Sequence, residues 1–103
     1  MERLEGQEYS EERSEMLGIY AHNPVIVLRE EFDDWAVLYN PDTSDAIGIN
    51  SIGVDIWKKL NTGKSIIELL REMQSEYDNF SQDAEIEVFE FIRDLRQRNM
   101  LIH

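Results

Sequence analysis

The chain has 103 residues, no cysteine, and 22 Asp and Glu against 10 Lys and Arg, a net charge of −12. This length suits one domain with a modest core. The charge argues against nucleic acid and anionic membrane as partners, and the missing thiols remove disulfides, thiolate catalysis, cysteine zinc sites and iron–sulfur ligation. Residues 1–23 hold six glutamates and two arginines, with apolar residues gathered only at Met16, Leu17, Ile19 and Tyr20. Their composition predicts an acidic, flexible extension over 1–23 and a folded domain over 24–103. The Met16–Tyr20 cluster either docks on that domain or forms a helical turn.

From Pro24 the pattern changes. Val25-Ile26-Val27-Leu28 and Trp35-Ala36-Val37-Leu38-Tyr39 are compact β-forming runs, and Arg29 to Asp34 between them reads as a charged loop. A third strand, Asp45 to Asn50, follows the turn-forming Asn40-Pro41-Asp42-Thr43-Ser44. Short connections imply an antiparallel meander with the second strand central and the third at an edge. That edge has no lysine and no proline, the usual guards against pairing with another chain. Within it Ile47 and Ile49 share one face, while Ala46, Gly48 and Asn50 share the other.

After Asn50 the period becomes helical. Asn50 caps a helix over 51–60 carrying Ile52, Ile56 and Leu60 at four-residue spacing, and Gly63 supplies a stop. Ser65 and Glu68 have the capping-box spacing, opening a second helix with Ile66, Leu69, Leu70, Met73 and Tyr77 on one side. A third helix runs from near Ser81–Asp83 to about Arg98, acidic at its start and basic at its end, as the macrodipole favours. On it Ala84, Val88, Phe91, Ile92 and Leu95 form the core arc, with Met100 and Leu101 closing over the end. Ile86 and Phe89 fall outside that arc, on a flank shared with Arg93 and Arg96. Two readings fit them: a secondary apolar patch against the N-terminal segment or a second subunit, or the wall of a peptide groove facing the free strand. Three strands followed by three helices make an α+β domain with one core.

Signals for chemistry are weak. His22 and His103 have no partner at ligand spacing. Glu30, Glu31, Asp33 and Asp34 lack the spacing of a calcium loop and read as a solvated hairpin, as do Asp42 and Asp45 beside their turn. Thr62-Gly63-Lys64-Ser65 lacks the earlier glycine of a phosphate loop, and no serine has a nucleophile-elbow setting. Trp35 and Trp57 read as packing residues. No catalytic residue, metal or cofactor is expected, so the chain is not expected to be an enzyme. No apolar run is long enough for a bilayer span and the start lacks a secretory signal, so a cytoplasmic location is expected.

Three phrases, "WAVLYNP", "IGINSIGVDIWKKLNTGKSIIELLREM" and "VFEFIRDLRQRNML", resemble the PqqD-like proteins, or RiPP recognition elements, over roughly residues 24–102. Ile49-Asn50, Gly53, Ile56-Trp57, Gly63, Ser65-Ile66, Val88, Phe91-Ile92, Leu95 and Met100-Leu101 occupy the family's pattern positions. Asn99 stands where the family often has glycine, and asparagine also tolerates a left-handed backbone. The resemblance implies a winged helix-turn-helix fold and a peptide chaperone that does no chemistry. Such a protein binds the leader of a ribosomally made precursor peptide by β-strand addition and presents it to a modifying enzyme, often of the radical-SAM type, or to a leader peptidase in lasso systems. Carried over by position, Ala46, Ile47, Gly48, Ile49 and Asn50 supply main-chain pairing. The helical wheel then assigns Glu85, Phe89, Ile92, Arg93 and Arg96 to the opposite wall. The alternatives are a winged-helix DNA-binding protein, which the acidic helix 65–77 disfavours, and a structural subunit forming a homodimer through the free strand edge.

Overall fold

The structure is a computed structural model that describes residues 14–32 and 34–103, apart from the side chain of Phe32. The first 13 residues of the acidic extension, and Asp33 of the carboxylate group, lie outside the described residues. In chain order the elements are β1 (Ala21–His22), β2 (Val27–Phe32), β3 (Trp35–Tyr39), β4 (Ala46–Asn50), α1 (Ser51–Leu60), α2 (Ile66–Glu76), α3 (Gln82–Gln97) and β5 (Leu101–Ile102). Strands β2, β3 and β4 form an antiparallel sheet in that order, and the two-residue strands β1 and β5 pair separately.

The caps set the helix limits. The Asn50 side chain accepts from the Gly53 N–H at 2.9 Å, so the chain passes from strand to helix at one residue. Ser65 and Glu68 close a capping box, and Ser65 also forms an isolated bridge to Ile19. Ser81 caps α3, and Asn99 beyond its end takes φ 58°, a left-handed conformation that asparagine tolerates. Apolar faces meet in one core: Ala36 and Leu38 from β3, Ile49 from β4, Ile56, Trp57 and Leu60 from α1, Leu69 and Met73 from α2, and Val88, Ile92 and Leu95 from α3. Lys59 on α1 bridges to Glu72 and Glu76 of α2 at 3.2 and 2.7 Å and pairs with Asp55, one turn earlier on its own helix, at 3.4 Å. Its bond to Glu76 first, and those to the other carboxylates, hold the ammonium above the usual lysine range.

Two expectations change. The first strand begins at Val27, and the segment read as a charged loop is its continuation: Arg29 pairs with Val37, Glu30 with Ala36 and Phe32 with Trp35, with a register shift between Glu30 and Phe32. Charge is tolerated there because β2 is the sheet's other edge. Glu30, opposite the buried Ala36, reaches across to Lys58 on α1 at 3.4 Å. The second change concerns residues 14–23, which composition assigns to the extension. Residues 14–17 form a helical turn, Tyr20 is 2% exposed, and β1 pairs Ala21 with Ile102 and His22 with Leu101.

His22 fastens this strap. Its ring stacks on Trp57 with centroids 3.6 Å apart, and its Nε2 lies 2.5 Å from the Trp57 carbonyl. Burial holds the imidazole below its ordinary value of 6.5, against the opposing pull of that carbonyl. The unfolded chain therefore takes up the proton more readily than the folded one. Stability should be full above pH 6.5 and fall as pH drops below it. Glu68 and Glu72, held below their ordinary 4.5, respond only at lower pH. Denaturant titrations across this interval should show the decline in the native chain, and His22→Gln should flatten it.

Candidate functional site

Among the described residues, strand β4 has a neighbour on one side only. The bond from the Asn40 N–H to the Asp45 carbonyl, 2.8 Å, sets the phase of the β3–β4 ladder. Hydrogen-bonded and non-hydrogen-bonded pairs alternate in antiparallel sheets. With Leu38 opposite Ile47 and Ala36 opposite Ile49, Ile47 and Ile49 therefore direct their main-chain groups to β3. Ala46 and Gly48 turn both N–H and C=O outward, and Asn50 turns its N–H outward. The edge thus offers a row of main-chain donors and acceptors in the register a further strand would use.

Beside it lies a cavity of about 440 Å³ between β4, the start of α1, the α2–α3 connection and α3. Gly48, Ile49 and Asn50 form the strand side, Ile52 and Ile56 the α1 side, and Ala84, Glu87, Val88 and Phe91 the α3 wall. Met73, Tyr77 and Phe80 close the end. Tyr77 is held by a 2.6 Å bond from its hydroxyl to Asp55, which first among its neighbours pushes the phenol up to about 12. Ile52, 44% exposed, leaves an apolar side chain open at the mouth. At the other end of β4, Arg98 donates to Asp45 at 2.8 Å and to Asp94 at 3.0 Å, fixing the spacing between the strand and α3.

The residues expected at the site divide between two places. Gly48, Ile49 and Asn50 line the cavity, and Ala46 and Ile47 continue the same edge away from it. Of the expected helix wall, Glu85, Phe89, Ile92, Arg93 and Arg96 are not among the residues that line this cavity. Ile92 is fully buried in the core. Glu85 accepts a bond from Gln74 on α2. Arg93 lies over the Phe89 ring, and Arg96 lies over Tyr20 with its guanidinium carbon 4.5 Å from the centroid. Both arginines meet Glu15, at 3.7 and 3.4 Å. Phe89 packs against the core on the flank that the N-terminal strap crosses.

Helical geometry explains the displacement. The seam of α3 is Val88, Ile92 and Leu95. Ala84, Glu87 and Phe91 lie about 40–100° to one side of Val88, whereas Glu85, Phe89 and Arg96 lie about 60–100° to the other. A helical wheel separates the two flanks but does not say which one faces the free strand. On the helix side, the cavity residues read from sequence only as core: Val88 and Phe91 belong to the apolar arc, and Ile52 to the α1 stripe. Among the described residues, no group of three His, Cys, Asp or Glu side chains is placed to hold a metal ion, and no helix is long and apolar enough to cross a membrane.

These features define a class: a small α+β domain of winged-helix-like fold in which, among the described residues, the outer edge of β4 is unpaired beside an apolar cavity. The profile of the family described as coenzyme PQQ synthesis protein D (PqqD) matches residues 36–101, and the chain belongs to that family. A solved structure described as TbiB1 in complex with the TbiA(beta) leader peptide is 26% identical, with a TM-score of 0.65, over 79% of this chain and 93% of that one. Another, described as lasso peptide synthetase B1 complexed with the leader peptide, is 21% identical with a TM-score of 0.68, over 84% of this chain and all of that one. No curated protein matches the chain.

Close packing holds the cavity floor. A Cβ at Gly53 would stand 2.9 Å from the Ile49 Cβ and 3.5 Å from the Phe91 ring, so α1 approaches β4 only because this residue has no side chain. Gly53→Ala should lower stability by about 1 kcal/mol in denaturant titrations, overpacking outweighing alanine's better helix propensity.

Proposed function

We propose that this chain is a non-catalytic recognition element that binds the leader segment of a ribosomally synthesised precursor peptide and presents it to a modifying enzyme. The observation that carries the reading is the vacant β4 edge beside an apolar cavity. An extended peptide adds as a fourth strand, its backbone pairing with Ala46, Gly48 and Asn50, and alternate side chains enter the space between Ile49 and Phe91. Main-chain bonds give general affinity and the cavity selects sequence. Family membership and the leader peptide named in the TbiB1 complex support this reading.

Catalytic benefit then arises through proximity, because a docked leader keeps the attached core segment near the enzyme at raised effective concentration. The enzyme served is of the radical-SAM class, with a lasso-type leader peptidase as the alternative. DNA binding is disfavoured by α2, whose exposed Glu68 and Glu76 accompany a single arginine, Arg71. A homodimer through β4 would use the same edge and compete with the peptide.

Gly48→Pro tests the mechanism because it deletes an outward N–H while leaving the β3 ladder intact. The variant should keep its thermal transition and bind a synthetic peptide carrying its cognate leader sequence at least about tenfold more weakly in calorimetric titration. Unchanged affinity would contradict strand addition. Ile47→Pro should instead lower stability, since that N–H faces β3.

A further inference from the structure

A strand added to β4 has two faces, and the cavity accounts for only one. The side chains of Ile47 and Ile49 point toward the core side of the sheet, while Ala46, Gly48 and Asn50 are exposed on the other. The partners of these exposed residues across the ladder are Tyr39, Val37 and Trp35. The middle row therefore reads Arg29, Val37, Gly48 and then the open edge. At Gly48 the row has a gap: among the described residues, a Cβ built there meets nothing within 4 Å. Val37 is only partly buried, and Val27 and Trp35 on the same face are 45% and 39% exposed.

The geometry points to a second subsite on this outer face, in which a peptide side chain lying across Gly48 packs on Val37. This inference rests on the strand-addition reading and adds a requirement to it. A residue directly opposite Gly48 in the new strand must project to the same face as Gly48. Adjacent strands lie about 4.8 Å apart, so Val37 is roughly 10 Å from the new backbone. A β-branched side chain does not span that distance, whereas an aromatic ring laid over the glycine does, the arrangement by which aromatic residues compensate for glycine in neighbouring strands. Tyr39 and Trp35 flank the row on either side. The peptide recognised thus carries an aromatic residue of opposite parity to those entering the cavity. Gly48 serves by having no side chain rather than by bending the backbone, because it sits within a regular strand.

The test uses the full chain and short peptides selected on it from a random display library. Selected binders should carry an aromatic residue at the position opposite Gly48. Gly48→Thr retains the outward N–H, suits a strand and fills the gap. It should keep or raise the thermal transition and weaken the selected peptides about tenfold. Peptides with that aromatic changed to alanine should bind the native chain and Gly48→Thr alike. Equal affinity of the native chain and Gly48→Thr for the selected peptides, or selection of small or charged residues at that position, would overturn the subsite. Binders whose affinity survives Gly48→Pro would instead overturn strand addition itself, and the two failures are separately visible.

Discussion

Backbone amides and carbonyls need hydrogen-bond partners, and along one side of β4 the described fold supplies none. The sheet's two edges are treated in opposite ways. On β2 the chain places Arg29, Glu30 and Glu31 and a register shift, which together discourage further pairing. On β4 it places alanine, isoleucine and glycine, in extended backbone with no strand on the outer side among the described residues. Solvent satisfies the groups at Ala46 and Gly48, so leaving them unpaired costs the folded state little. It also leaves them available to a strand that brings its own apolar side chains to the adjacent cavity.

The rest of the domain holds that edge still. Asn50 ends the strand and begins α1 in one residue, so the strand cannot slide without unwinding a helix cap. Arg98 ties the start of β4 to the end of α3, while Gly53 lets α1 pack tightly beneath the strand's other end. Lys59 locks α1 to α2 through Glu72 and Glu76, and the last turn of α2 leads into Tyr77 at the cavity. A groove assembled from such fixed pieces loses little conformational freedom when filled, which is how a small surface gains affinity.

Much of this architecture was legible where a residue's local chemistry is decisive. Asn50, Ser65 with Glu68, and Ser81 announce helix starts through side-chain oxygens, and short connections between the apolar runs place β4 at an edge. Other features depend on tertiary context. Arg29 to Phe32 has the composition of a loop, and it forms a strand because an edge position accommodates charge. Tyr20 lies in an acidic stretch without periodicity, and its burial depends on a two-residue pairing with the far end of the chain. The strand half of the site could be read because alternation along β4 is local. The helix half could not, because the hand with which α3 docks decides whether Phe91 or Phe89 faces the free edge.

Hydrogen–deuterium exchange resolved at single amides, on the free chain and on the chain saturated with a leader peptide, addresses the vacancy of this edge most directly. In the free chain Ala46 and Gly48 should exchange fast while Ile47 and Ile49 are protected, and saturation should slow Ala46 and Gly48 alone among the four. Protection of Ala46 and Gly48 before any peptide is added, or their continued fast exchange at saturation, would contradict the proposed role of β4.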